Sequence, residues 1–230
     1  MRKILLIIPA KGNSKGIPRK NLRNLGGRPL IYYAITTALN SKHNLDVYVS
    51  SDDDEILYIS ENIGAKTHKR KKELCTDSTT LDPVIHNAYI EISQSNNCKY
   101  DFVITLQPTS PILKSNTLDL AIEKTISKNV DTLISAKKNS HLTWREQNGN
   151  YLPGYKRRLN RQELEPTYIE TGGFVISKSK YIKKNSRFGL EIDLYILSEG
   201  EEIDIDSYED WSICEYYIKR KNILFVCTGN

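Results

Sequence analysis

Ile4-Leu5-Leu6-Ile7-Ile8-Pro9-Ala10-Lys11-Gly12-Asn13-Ser14-Lys15-Gly16-Ile17-Pro18-Arg19-Lys20-Asn21 is the stretch on which the fold turns. Its apolar run over residues 4–8 shows no polar alternation, which suits a strand covered on both faces in a parallel sheet. The run is too short for a membrane span or a signal core, and Pro9 ends it. Glycines at 12 and 16 let the following backbone turn tightly and approach a ligand closely. Exposed N–H groups in such a loop, backed by lysine charge, form a seat for phosphate oxygens. The position also fits, because open α/β sheets bind ligands at the carboxyl ends of their strands. Neither G-x-x-x-x-G-K-[ST] nor G-x-G-x-x-G is present, so the common nucleotide fingerprints do not apply.

Outward from this stretch, strand and helix patterns alternate. Pro29 opens a helix with Leu30, Ile31, Ala34, Ile35, Ala38 and Leu39 on one face. Residues 46–50 read as a second strand and 53–62 as a second helix. Val84, Ile85, Ala88, Tyr89 and Ile92 mark a third helix, and residues 102–106 a third strand. Ser115 is expected to cap a helix carrying Leu118, Ala121, Ile122 and Thr125, followed by a strand over 132–136. This order predicts an α/β fold with a doubly wound, mostly parallel sheet. Residues 141–166 break the alternation and read as an extended hairpin turning at Gln147-Asn148-Gly149-Asn150. Residues 174–177 return to strand. Ser207, with Asp210 three residues on, opens a last helix with Trp211, Cys214 and Ile218 on one face. Residues 1–220 thus form one domain, and 221–230 read either as a final strand or as the start of a second domain.

The 230 residues, 39% hydrophobic and 27% charged, belong to the globular class. A net charge of +5 is modest, and its basic runs, Lys69 to Lys72 and Lys156 to Arg158, follow no nucleic-acid module. Anionic small substrates explain the charge as well, so neither a nucleic-acid nor a membrane partner is expected. Cys75, Cys98, Cys214 and Cys227 show no metal-ligand spacing and no disulfide framework, which points to a cytoplasmic protein. His43 and His141 are read as ordinary loop histidines.

The loop string closely resembles the I-P-A-R-G-G-S-K-G-x-x-x-K-N signature of acylneuraminate cytidylyltransferases. Arg70-Lys71-Lys72-Glu73-Leu74-Cys75-Thr76-Asp77 is similar to that family's R-P-x-E-L-A-x-D, and Leu106-Gln107-Pro108-Thr109-Ser110-Pro111 to its L-Q-P-T-S-P. Arg161-Gln162-Glu163-Leu164 and the later Thr171-Gly172-Gly173 resemble its R-Q-[DE]-L and N-G-A segments. Ile203-Asp204-Ile205-Asp206 resembles its metal-binding stretch. The resemblance spans nearly the whole chain, with the motifs in order, and implies a Rossmann-like nucleotidyltransferase. It assigns CTP to Lys11, Gly12, Asn13, Ser14, Lys15, Lys20, Asn21, Arg70, Thr79 and Thr80. Gln107, Arg161, Thr171 and Gly172 would face the sugar, with Arg161 meeting its carboxylate. Asp204 and Asp206, two residues apart and so able to share one face of an extended segment, would hold Mg²⁺. Lys15, Lys20 and Asp206 would carry catalysis. Departures are Lys11 for arginine, Asn13 for glycine (tolerable in a left-handed conformation), Lys71 for proline and Thr171 for asparagine.

The implied reaction is attack of a sugar's anomeric hydroxyl on the α-phosphorus of CTP, giving a CMP-sugar and pyrophosphate. The acceptor would be a nonulosonic acid of the sialic type. A Kdo cytidylyltransferase catalyses the same chemistry but has S-T-R-L-P-G-K in the loop, and a non-catalytic nucleotide-sugar binder would not need Lys20, Asp204 and Asp206. The excursion, with Trp144, Tyr151 and Tyr155 beside arginines, is expected to be a homodimer arm. Arg157 or Arg158 would then serve the partner's sugar pocket.

Overall fold

The computed structural model describes residues 2–227, with side chains to residue 220. In chain order the elements are β1 (Ile4–Pro9), β2 (Asn24–Leu25), β3 (Arg28–Pro29), α1 (Leu30–Leu39), β4 (Leu45–Ser51), α2 (Asp54–Ile63), β5 (Lys66–Lys69) and α3 (Leu81–Ser95). There follow β6 (Phe102–Leu106), α4 (Ser115–Ser127), β7 (Thr132–Asn139), β8 (Trp144–Gln147), β9 (Asn150–Pro153), β10 (Thr167–Lys178), β11 (Ile192–Ile196) and α5 (Tyr208–Cys227). The main sheet has seven strands in the order β11-β7-β10-β6-β1-β4-β5. β10 runs antiparallel to both its neighbours, and every other pairing is parallel. Chain order reverses at β1, which lies between β4 and β6. That reversal opens the crevice in which such sheets bind ligands.

Alternate residues of β1 feed opposite faces, as a strand buried on both sides must. Leu6 and Ile8 pack with Ile31 and Ile35 of α1, Ile56 of α2 and Leu118 and Ile122 of α4. Leu5 and Ile7 pack with Ile85, Ala88 and Ile92 of α3 on the other face. A third cluster joins Ile17, Leu30, Ile112 and Ile205 to Trp211, Cys214 and Ile218 of α5. This cluster fixes the loop after β1 against the segment that carries Asp204 and Asp206.

Several sequence expectations need correction. β5 and β11, the two sheet edges, lie beyond the expected strands, and β5, reading Lys-Thr-His-Lys, carries a weak strand signal. β10 begins at Thr167, earlier than residue 174, since its first half is an exposed ribbon paired with β7. Ser115 is the first helical residue of α4 rather than its cap. The carboxylate of Glu201, 1% exposed, takes over that end by accepting from Lys114 N–H (2.9 Å) and the Thr117 hydroxyl (2.8 Å). The strand expected after residue 221 is not formed to Cys227, because α5 continues through it. No glycine or proline interrupts the chain from Ser207 to Thr228, so a capped helix propagates. The Gly229 loop lies outside the described residues. No helix among the described residues is long and apolar enough to cross a membrane.

Candidate active site

The loop leaving β1 is pinned at both ends. Ala10 N–H donates to Ser50 O (2.9 Å), and Asn21 Nδ2 to Lys11 O (2.9 Å). Gly12 N–H donates to Asp52 Oδ1 (3.0 Å). Gly16 lies so close to the Asp206 segment that a Cβ there would come 2.8 Å from Asp206 O. The left-handed backbone of this loop falls at Arg19 (φ 52°), and Asn13, which could have tolerated that conformation, does not adopt it. Asn13 is exposed and Ser14 half-buried.

Lys11 and Lys15 both close on Asp77, at 2.8 and 3.1 Å, and these bonds hold the Asp77 carboxyl below its ordinary pKa. All three are substantially exposed, so the pairs are weak enough for a polyphosphate to replace them. Lys20 is deeper. Its Nζ donates to Ile205 O (2.6 Å) and stands 3.4 Å from Asp206 Oδ1. Arg70 is only 5% exposed and lies beneath the loop, its Nη2 donating to Ser50 O (2.7 Å). Thr79 Oγ1 is bonded to Thr76 Oγ1 (2.6 Å), and Thr80 precedes α3 without capping it by its side chain.

The Asp204–Asp206 segment hangs from three supports. Ile205 N–H donates to Thr109 O (2.8 Å). Asp210 Oδ2 accepts from Asp206 N–H, Ser207 N–H and the Ser207 hydroxyl at 3.1, 2.9 and 2.7 Å, the expected capping box. Glu201 ties the preceding turn to α4. Asp204 and Asp206 line one cavity of about 410 Å³, together with Lys137, Thr171, Glu202 and Asp210. Burial raises the pKa of Asp204, and the neighbouring Asp206 charge adds to this. Asp204 Oδ1 is covered and has no hydrogen-bond donor. Thr109 is near enough to lower the carboxyl's proton affinity, yet its covered hydroxyl does not meet hydrogen-bond geometry either.

The sugar-side expectations fare unevenly. Gln107 sits at the end of β6, its N–H directed at Gly173 O (3.4 Å). Thr171 is 7% exposed and donates its hydroxyl to Ser135 Oγ (2.9 Å), inside an irregularity of β10 between Glu170 and Val175. Gly172 makes room for Asp204, whose Oδ2 would lie 2.5 Å from any Cβ at that position. These two therefore shape the space around Asp204, and the Thr171 hydroxyl is already engaged by Ser135. Arg161 is not brought to this cavity. It lines a separate one on the excursion, with Lys138, Gln162 and Leu164. Sequence reading also missed Asp52, Asp77 and Glu201, whose roles arise only from chain crossings.

An unpaired carboxylate held in a covered place has a testable cost. The sign follows from the raised pKa. The protonated form of Asp204 adds stability below the ordinary value of 3.8, and this is lost as pH rises through the raised value. Asp204→Asn is therefore expected to raise the melting temperature at pH 7 while removing turnover, and to show no such gain at pH 3. Differential scanning calorimetry at the two pH values checks this.

A glycine-bearing loop at the topological switch point, facing paired carboxylates, defines a nucleotide-binding α/β protein of the nucleotidyltransferase kind. The chain belongs to the cytidylyltransferase family, whose profile matches residues 5–173. It is 36% identical over 225 residues to the pseudaminic acid cytidylyltransferase of Campylobacter jejuni, covering 94% of this chain and 97% of that protein. It is 31% identical over 226 residues to N-acylneuraminate cytidylyltransferase A of Danio rerio, covering 95% of this chain and 51% of that one. Among solved structures it is similar to a CMP:2-keto-3-deoxy-manno-octonic acid synthetase complexed with CTP. The TM-score is 0.70, over 95% of this chain and 99% of the other. At 13% identity that likeness concerns the fold alone.

Proposed function

We propose that this chain transfers CMP from CTP to the anomeric hydroxyl of a nonulosonic acid, releasing pyrophosphate. The observation that carries the reading is the bond from Lys20 Nζ to Ile205 O beside Asp206, which fastens the phosphate loop to the carboxylate pair. Lys11, Lys15 and Lys20 would neutralise the triphosphate, and Arg70 would support the nucleotide from below. Positioning and charge supply most of the rate in such a reaction, since little covalent work falls to the protein. The acceptor we favour is an acylamino nonulosonic acid, either the N-acylneuraminate type or the pseudaminate type. Both kinds of relative support it, and the loop lacks the Kdo string.

Mg²⁺ fits the carboxylate pair. Asp204 Oδ1 lacks a donor, and its pKa is raised by burial and by Asp206, the situation a cation would relieve. Among the described residues no group of three His, Cys, Asp or Glu could hold a metal. Two carboxylates completed by phosphate oxygens and water are what Mg²⁺ accepts, and zinc would need more protein ligands. Bound there, Mg²⁺ would stabilise charge developing on the phosphates and help the acceptor hydroxyl lose its proton. The test is pyrophosphate release from CTP and Mg²⁺ with N-acetylneuraminate, KDN, legionaminate, pseudaminate and Kdo in turn. Release with a nonulosonic acid supports the reading, and release with Kdo alone, or with none, overturns it.

We also propose a homodimer built on the excursion. β8 and β9 are exposed along their whole length, as are Trp144 (53%), Tyr151 (70%) and Ile169 (45%), a concentration of apolar surface that favours a partner. Arg161 and Arg157 line the cavities of this arm and would reach a partner's acceptor site. Sedimentation is expected to give about twice the 26.4 kDa chain mass. Deleting residues 145–158 should shift it to monomer, and a fully active monomer would refute the arrangement.

A further inference from the structure

Beneath the nucleotide loop runs a row of buried polar groups that the proposed reaction does not use. His68 of β5, 8% exposed, lies between two partners. Its Nδ1 is 3.1 Å from Ser50 Oγ, and its Nε2 is 2.9 Å from Glu91 Oε2. Ser50 is fully buried, and its carbonyl accepts from both Ala10 N–H (2.9 Å) and Arg70 Nη2 (2.7 Å). Arg70 Nε points at Ser50 Oγ from 3.5 Å. Glu91, on α3, is held in turn by Lys71 (2.8 Å) and by Asn87 Nδ2 (2.9 Å).

These contacts have a direction. The bond from Lys71, with help from Asn87 and His68, keeps the Glu91 carboxyl at about 2, so it is an anion that only accepts. His68 therefore carries its proton on Nε2 and donates to Glu91. In the neutral ring Nδ1 then accepts from the Ser50 hydroxyl, which leaves the Ser50 oxygen free to accept from Arg70 Nε.

We infer that His68, anchored by Glu91, is a positioning residue that orients Arg70 through Ser50. The inference rests on the proposed role of Arg70 toward the nucleotide. CTP affinity, measured by calorimetry, separates it from the transfer reading. His68→Ala is expected to weaken CTP binding about tenfold, the worth of one charge-linked hydrogen bond, with the acceptor KM unchanged. The amide oxygen of His68→Asn can take the place of the accepting Nδ1 and should restore binding to within about twofold. His68→Gln replaces Nε2 alone and should not. Unchanged affinity in His68→Ala overturns the inference, as does rescue by glutamine and not asparagine, which would mark a mere tie to α3. Should His68→Ala fail to fold, Ser50→Ala decides in the same way, with about tenfold weakening expected, since the whole link runs through its hydroxyl, and none overturning. Arg70→Met that binds CTP like wild type also overturns it. Wild type that binds CTP but releases no pyrophosphate sinks only the transfer reading.

Discussion

Asp206→Ala is expected to lower turnover about a thousandfold while leaving the melting temperature within about 2 °C of wild type. The Asp206 side chain is 82% exposed, and its ion pair to Lys20 is long at 3.4 Å, so its loss costs little stability. Its proposed work is done only with substrates and Mg²⁺ present, where a metal ligand contributes several kcal/mol to the transition state. The loss should fall on kcat and on the Mg²⁺ requirement, with CTP affinity in the absence of metal nearly unchanged. Steady-state kinetics over a magnesium series make the comparison. A variant that turns over within tenfold of wild type would remove Asp206 from the metal site.

The frame around this site could be read from the sequence because it follows simple periodicities. The apolar run of residues 4–8, buried to the last side chain, predicted the central strand, and the glycine loop after it predicted the crevice. Asn148 and Gly149, with positive φ, turn the β8–β9 hairpin where the Asn-Gly pair placed it. Edge strands were lost because β5 is mostly polar and pairs on one side only.

Within the site, the loop lysines and the I-D-I-D string were legible because each is a local pattern. Asp77, Glu201 and the pair His68–Glu91 were not, since their partners lie far off in the chain. Glu201 meets residues 84 and 87 positions away. The glycines were legible as to place and only partly as to purpose. Gly16 and Gly172 admit Asp206 O and the Asp204 carboxylate, respectively, where a side chain would collide. Thr171 read as a polar sugar ligand because sequence could not show its hydroxyl turned into the β10 irregularity.

Lys20→Ala should cost about a hundred- to a thousandfold in kcat, comparable to removing one preorganised charge donor from a transition state. Lys20 is the most enclosed of the loop lysines, 13% exposed against 31% for Lys11 and 77% for Lys15. A charge so enclosed acts through a lower effective dielectric and is screened less by salt. The same atom also holds Ile205 O, so alanine loosens the segment that presents Asp206. Lys20→Arg should recover little, because a planar fork cannot reproduce a compact ammonium bonded to one carbonyl. On the proposal that Lys20 and Asp206 work as a unit, Lys20→Ala/Asp206→Ala is expected to be no slower than the slower single variant. Multiplicative losses in that double-mutant cycle would show two independent contributions and break the link between the phosphate loop and the carboxylate pair.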